Sequence, residues 1–175
     1  MPTKPRYKLP TEERLIRSAV HYLERYASSA ANLRKVLERK VMKACAEHDR
    51  DPSDFAALID KVVDKCTGSG LVNDRVYAET KTASLRRRGG SRRKIEAQLI
   101  SKGVDKDVIQ SVLEHDSGSD MDAARIFARR RRLGPFRTDG NRQQRRDKDM
   151  AAMCRAGFSF DIARRIIDAQ DDPDG

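Results

Sequence analysis

Six cations with no acid among them, Arg86-Arg87-Arg88 and Arg92-Arg93-Lys94, flank the short segment Gly89-Gly90-Ser91. Arg suits a phosphate or a carboxylate equally, because its planar fork donates two parallel hydrogen bonds. A second run, Arg129-Arg130-Arg131-Arg132, is extended by Arg137, Arg142, Arg145 and Arg146. The chemistry on offer is the holding of a polyanion or an acidic protein face, and the residues expected to do it are Arg86, Arg87, Arg88, Arg92, Arg93, Lys94, Arg129, Arg130, Arg132, Arg142, Arg145 and Arg146. If both runs fall on one concave side, they make a single basic groove. The alternative is a set of ordinary solvated helix faces, since consecutive helical positions point in different directions and cannot all reach one partner.

Other chemistries are poorly served. Stacking on single-stranded bases needs aromatic rings among the cations. Only Tyr77, Phe127 and Phe136 lie near the runs; the first two read as core, and Phe136 sits in a loop where it is the one ring placed to stack. Contact of this kind is sequence-blind and salt-sensitive. The stretch Ser91 to His115 has a helix-turn-helix look, but the second helix of that pair carries acids and little base-reading chemistry. Cys45-x-x-His48 with Cys66 is a weak zinc pattern without a second close pair, so no metal is expected. No Ser or Cys sits in a nucleophile motif, the three His are scattered, and Gly68-Ser69-Gly70 lacks the Lys and helix start of a phosphate loop. Neither catalysis nor a cofactor is expected.

The composition points the same way. Of 175 residues, 37% are charged and 5% aromatic, and the net charge is +10. That is thin material for one large core, but enough for short amphipathic helices that each bury a stripe. So basic a balance favours an acidic or polyanionic partner. Three cysteines, Cys45, Cys66 and Cys154, form no even framework, and Met1 to Pro10 has no apolar signal core. No apolar run approaches a membrane span. The expectation is a cytoplasmic monomer with no membrane partner.

The elements that must position these cations are helical, with almost no strand signal. Thr11 is the expected N-cap of a helix carrying Leu15, Ile16, Ala19, Val20, Leu23 and Tyr26 inward. Ser28 or Ser29 restarts the chain into a stripe of Leu33, Val36, Leu37, Val41 and Ala44. After Asp51-Pro52, a third helix carries Ile59, Val62, Val63 and Cys66. Asn73 caps the next helix, with Val76, Tyr77 and Thr80 inward. Leu133 to Asn141, with Gly134-Pro135 and Asp139-Gly140, reads as a long mobile loop.

One phrase is written twice. Lys102-Gly103-Val104-Asp105 returns as Ala156-Gly157-Phe158-Ser159, a helix C-cap followed by an N-cap. Ser29, Leu33, Leu37 and Lys40 also match Ser91, Ile95, Leu99 and Lys102 in spacing. The expected fold is therefore all-α, an elongated array of three tandem three-helix repeats with a helix-turn-helix look. The expected segments are a disordered arm at 1–10, repeats at 11–68, 71–116 and 119–170, and an acidic tail at 171–175.

These residues resemble the RecX family of RecA-regulatory proteins. The resemblance is carried by Tyr22-Leu23-Glu24-Arg25-Tyr26-Ala27-Ser28-Ser29 with Leu33-Arg34, by Val72-Asn73-Asp74-Arg75-Val76-Tyr77-Ala78, by Arg88-Gly89 through Lys102-Gly103-Val104, and by Arg155-Ala156-Gly157-Phe158-Ser159. It runs from about Thr11 to Ala169; Asn32-Leu33 and Ser91-Arg92 depart from the family's habit, and the 133–149 stretch is longer and more basic. The resemblance implies a non-catalytic protein of recombination, DNA repair and the SOS response. Such a protein lies in the groove of the RecA–single-stranded DNA filament and lowers ATPase, strand exchange and filament growth. The competing reading is a general, sequence-independent nucleic-acid-binding protein that acts without RecA.

Overall fold

The structure, a computed structural model, describes residues 6–138 and 140–170. Among these residues the chain forms nine α-helices, two short 3-10 turns and no strand. The helices are α1 (Glu12–Leu23), α2 (Ala30–His48), α3 (Ala56–Gly68), α4 (Asp74–Arg86), α5 (Arg92–Ser101), α6 (Lys106–Glu114), α7 (Asp120–Arg131), α8 (Arg142–Arg155) and α9 (Phe160–Ile167); the 3-10 turns are Pro52–Phe55 and Gly134–Phe136. Among the described residues no helix is long and apolar enough to cross a membrane.

The chain divides into two compact units. One runs to Tyr77 and includes Lys102–Val108; the other is Ala78–Ser101 with the chain from Ile109 onward. In the first unit α1, α2 and α3 pack on one another around Leu15, Leu33, Leu37, Ile59 and Val62. In the second, α7 and α8 pack on α9 around Ala124, Met153, Phe158, Ala163 and Ile167. The small residues Ala124, Ala128 and Ala163 are fully buried, so the scarcity of aromatic mass is met by close helix approach.

The helices begin where hydroxyls can accept a free N–H. Thr11 caps α1, Ser29 caps α2, Ser119 caps α7 and Ser159 caps α9, each accepting from the N–H three residues on. Ser91 does the same for Lys94 N at 3.2 Å, and Asn73 for Val76 N at 3.1 Å.

Ser29 and Ser91 do more than cap. Ser29 Oγ donates to the Lys102 carbonyl at 2.5 Å, and Ser91 Oγ donates to the Ala156 carbonyl at 2.7 Å. The following backbone N–H is also taken in the same way twice. Ala30 N donates to Asp74 Oδ1 and Arg92 N to Asp120 Oδ1, both at 2.8 Å, and each Asp is the first residue of its helix. Each unit thus contains one copy of the same junction. The glycines of the repeated phrase fit it closely. Gly103 has φ +70° and Gly157 φ +94°. A Cβ would lie 2.5 Å from Ala31 Cβ at Gly103, and 2.5 Å from Ser91 Oγ at Gly157. Where the later copy has Gly103, the first has Val41, and α2 simply runs on to His48.

Several positions differ from the periodicity. Tyr26 is 58% exposed because α1 ends at Leu23; its ring lies 5.2 Å from that of Tyr22. Val76 and Thr80 face outward, and Tyr77, Ala78 and Thr82 carry the buried side of α4 instead. The N-terminal arm is not loose over its described part. Tyr7 N donates to Glu47 Oε2 at 2.7 Å, and Tyr7 O meets His48 Nε2 at 2.8 Å. Residues 1–5 and the acidic tail at 171–175 lie outside the described residues.

The expected loop after α7 is pinned over most of its length. Leu133 and Gly134 are buried, and Asp149, 2% exposed, holds the segment from α8. Its carboxylate accepts from Gly134 N at 2.9 Å and from Arg137 Nε and Nη2 at 2.8 and 2.6 Å. Burial pushes the Asp149 carboxyl up, but the Arg137 guanidinium and the Gly134 N–H outweigh this and hold it below the ordinary carboxylate value.

Two outcomes follow. Gly157→Ala forces a left-handed backbone costing about 1–2 kcal/mol and drives a methyl onto Ser91. Ser91→Ala loses a cap and the partner of a part-buried acceptor, about 1–3 kcal/mol. Both are expected to lower the urea midpoint, Gly157→Ala at least as much as Ser91→Ala. Asp149→Asn breaks a buried ion pair and is expected to lower stability at neutral pH by about 3 kcal/mol. The wild-type advantage is present above the ordinary Asp value of 3.8 and is lost as pH falls below it. Urea unfolding followed by circular dichroism at pH 7, 4 and 3 should show the two proteins converging.

Candidate functional site

The second unit carries a cationic concavity where the start of α5, the turn before it and the last turn of α7 meet. One depression of about 470 Å³ is lined by Arg88, Gly89, Lys94, Gln98, Arg130 and Arg131, among others. A second, of about 420 Å³, is lined by Lys94, Phe127, Arg131, Leu133, Arg155 and neighbours. Lys94, Phe127 and Arg131 belong to both, so the two form one groove. It presents Arg88, Lys94, Arg130, Arg131 and Arg155, and no Asp or Glu lines it.

The junction explains why these residues meet. Ser91 Oγ holds Ala156 O, which brings the end of α8, and with it Arg155, beside the first turn of α5. Arg130 Nη1 donates to the Arg88 carbonyl at 2.8 Å, which ties the end of α7 to the turn after α4. Phe127 packs on Phe158 with ring centroids 5.7 Å apart, and the Arg131 guanidinium carbon lies 5.9 Å from the Phe127 centroid. The ring thus floors the groove and steadies one of its cations.

The twelve expected contact residues separate by environment. Arg88, Lys94 and Arg130 line the groove. Arg87, Arg93, Arg132 and Arg145 are exposed but do not line it. Arg129 stands over one face of Phe136, its guanidinium carbon 5.3 Å from the ring centroid, and the ring is half-buried. The remaining four serve the fold. Arg86 is largely enclosed and pairs with Asp116 at 2.7 Å and Asp120 at 2.5 Å. Burial pushes its guanidinium down, but these two carboxylates more than reverse the effect and hold it above its ordinary value. The segment between α6 and α7, with Asp120 at the helix start, thus clamps Arg86. Arg92 Nη1 donates to the Leu113 carbonyl at 2.7 Å, at the negative end of α6. Arg142 caps the end of α9 through Ile167 O at 2.9 Å and through Ala169 O. Arg146 makes a bidentate pair with Asp168, 2.7 Å on each arm.

Arg131 and Arg155 line the groove although neither is among the twelve expected contact residues, and Arg155 lies outside the arginine runs altogether. Its signal was present in the repeated Arg155-Ala156-Gly157 phrase, but only the docking of that phrase on Ser91 gives it a direction. Phe127 reads as core and is half core, half groove floor.

Among the described residues no group of three or more His, Cys, Asp or Glu is placed to hold a metal ion. Cys45 and Cys66 are buried, and burial pushes both thiols up.

Fold and site together define an all-helical protein of repeated junctions with an acid-free cationic groove. The family model described as "RecX, second three-helix domain" matches residues 73–113. Regulatory protein RecX of Myxococcus xanthus is 42% identical over 171 residues, covering 96% of this chain and 90% of the relative. Regulatory protein RecX of Agrobacterium fabrum is 31% identical over 150 residues, covering 86% and 79%. That of Mycobacterium ulcerans is 35% identical over 114 residues, covering 63% and 65%. No solved structure matches. The chain belongs to the RecX family, whose members here bear the name of regulatory proteins.

Arg86 and Arg88 are two residues apart and have opposite roles. Arg86→Ala leaves Asp116 and Asp120 without their partner and is expected to lower stability by about 2–4 kcal/mol. Arg88→Ala is expected to stay within about 0.5 kcal/mol of wild type. Thermal melts of the two variants check this.

Proposed function

We propose that this protein restrains a RecA-type recombinase by occupying its filament on single-stranded DNA, with the groove of the second unit as one contact surface. The observation that carries the reading is the acid-free run of Arg88, Lys94, Arg130, Arg131 and Arg155 around Phe127. Family membership supplies the direction of the proposal: the relatives are named as regulators. The groove supplies the physics, since five cations on a fixed framework attract phosphate oxygens or acidic side chains without needing to read sequence.

The mechanism is occupancy. A protein seated on a filament blocks duplex entry, protomer rearrangement or end growth without doing chemistry of its own. Repeated junctions of one design would let successive segments touch successive protomers, and contacts too weak alone add through effective concentration. In this reading the protein acts as a cytoplasmic monomer, needs no cofactor and turns over no substrate. The second reading, nucleic-acid binding without a recombinase, is favoured by the sequence-blind character of the same cations, which match bare phosphates as well as a filament.

The test is a titration of the protein into a recombinase ATPase assay on single-stranded DNA. Wild type is expected to lower turnover, and Lys94→Glu/Arg131→Glu to need at least tenfold more protein for the same effect while melting as wild type does. Affinity for the recombinase-coated strand should exceed that for the bare strand at equal salt. Equal affinities would select the second reading, and unchanged inhibition by the double variant would remove the groove from the mechanism.

A further inference from the structure

The first unit contains a second cationic depression, at a place the arginine runs do not mark. It has a volume of about 390 Å³ and lies between the N-terminal segment, α1 and α2. Its wall includes Tyr7, Lys8, Arg14, Arg17 and Lys40, and no Asp or Glu lines it. Among the described residues, Lys8, Arg17 and Lys40 have no carboxylate partner.

Tyr7 makes this more than a basic surface. Its backbone is held at both polar atoms, the N–H by Glu47 and the carbonyl by His48, both on the last turn of α2. These bonds fix the main chain of Tyr7 against α2, and the residue is 36% exposed. The Arg6 guanidinium carbon stands over one face of the ring, 5.7 Å from its centroid. Arg14 Nη1 donates to the Leu9 carbonyl at 2.8 Å and fastens the segment to α1. Glu47, the acid at this edge, is engaged by the Tyr7 N–H.

We infer that this depression is a single-stranded nucleic-acid contact in which one base stacks on Tyr7 while Lys8, Arg17 and Lys40 hold the adjoining phosphates. An exposed aromatic residue on a pinned backbone, beside cations without carboxylate partners, is the pairing that binds a strand without reading its sequence. The volume lies in the range that holds a small-ligand-sized group. An acidic peptide would satisfy the cations, but it gives the ring nothing to stack. The inference does not rest on the groove of the second unit.

The experiment measures binding of labelled oligothymidylate and of polyglutamate to the full chain, without recombinase, across a salt series. Tyr7→Leu keeps apolar bulk and both backbone bonds but removes the aromatic face. It is expected to weaken oligothymidylate at least fivefold, the lower end of what one stacked base contributes, and to leave polyglutamate unchanged. Tyr7→Phe should bind as wild type does. Arg17→Ala/Lys40→Ala should lower the salt slope for oligothymidylate by about 1 to 2. Circular dichroism melts establish that each variant is folded. Oligothymidylate affinity within twofold of wild type for Tyr7→Leu, or equal losses on both polyanions, overturns the stacking contact. An unchanged salt slope in the double variant overturns the phosphate contact even if Tyr7→Leu misfolds. Because no recombinase is present, failure here leaves the occupancy reading standing, and failure of the ATPase test leaves this one standing.

Discussion

The structure depends on a serine hydroxyl that works in two directions. Ser91 Oγ accepts from Lys94 N to start α5, and donates to the Ala156 carbonyl that ends the turn after α8. One buried oxygen thereby satisfies an orphan N–H at a helix start and an orphan C=O at a helix end. Ser91 itself is fully buried, so the contact fixes the distance between two helix termini. The approach is close enough that residue 157 can have no side chain. Arg92 N, the next donor along, is taken by Asp120, so the first turn of α5 is held from two other elements at once. Ser29, Ala30, Asp74 and Lys102 repeat this arrangement in the other unit.

Much of this was legible as spacing. The matched positions of Ser29 and Ser91, and the doubled glycine phrase, are short-range signals that rest on backbone geometry, and backbone geometry is local. The caps at Thr11, Asn73 and Ser159 were readable for the same reason. Burial was less so. Val76 and Thr80 sit in a helix whose inward face is set by Tyr77, Ala78 and Thr82, and the apolar Val76 is left outside. A stripe of three or four residues tolerates a rotation that the periodicity of one short helix cannot exclude. The stretch Leu133 to Asn141 misled in another way. Its Gly-Pro and Asp-Gly pairs signal turns correctly, but a turn says nothing about Asp149, whose carboxylate reaches back to anchor Gly134 and Arg137.

The cations show the limit most clearly. As a run of letters, Arg86-Arg87-Arg88 is uniform. In the fold Arg86 lies between two carboxylates, Arg87 faces solvent and Arg88 opens onto the groove. The difference comes from helix phase and from acids thirty or more residues away, Asp116 and Asp120, neither of which a local reading can assign. The same holds for Arg142 and Arg146, drawn to carbonyls and a carboxylate at the end of α9. Charge density locates the right region; partner geometry decides which guanidiniums remain for anything outside the molecule.

This division of labour has an electrostatic consequence. With 27 acids against 37 Lys and Arg, most cations could find a carboxylate, and if they all did the surface would present little field. Several acids instead sit at helix starts and clamps: Glu12 holds Lys61 and Lys65 and is itself lowered to about 2 by them, Asp120 holds Arg86 and a backbone N–H, and Asp168 holds Arg146. Each such acid neutralises a cation that is already structural. Among the described residues the groove cations have no carboxylate partner, while the framework that holds them is made of hydroxyls, carbonyls and an aromatic ring, which stiffen without cancelling charge. A uniformly basic surface would attract polyanions everywhere and hold them nowhere in particular. Neutralising the structural cations and leaving a few lined up around Phe127 turns a general attraction into a located one.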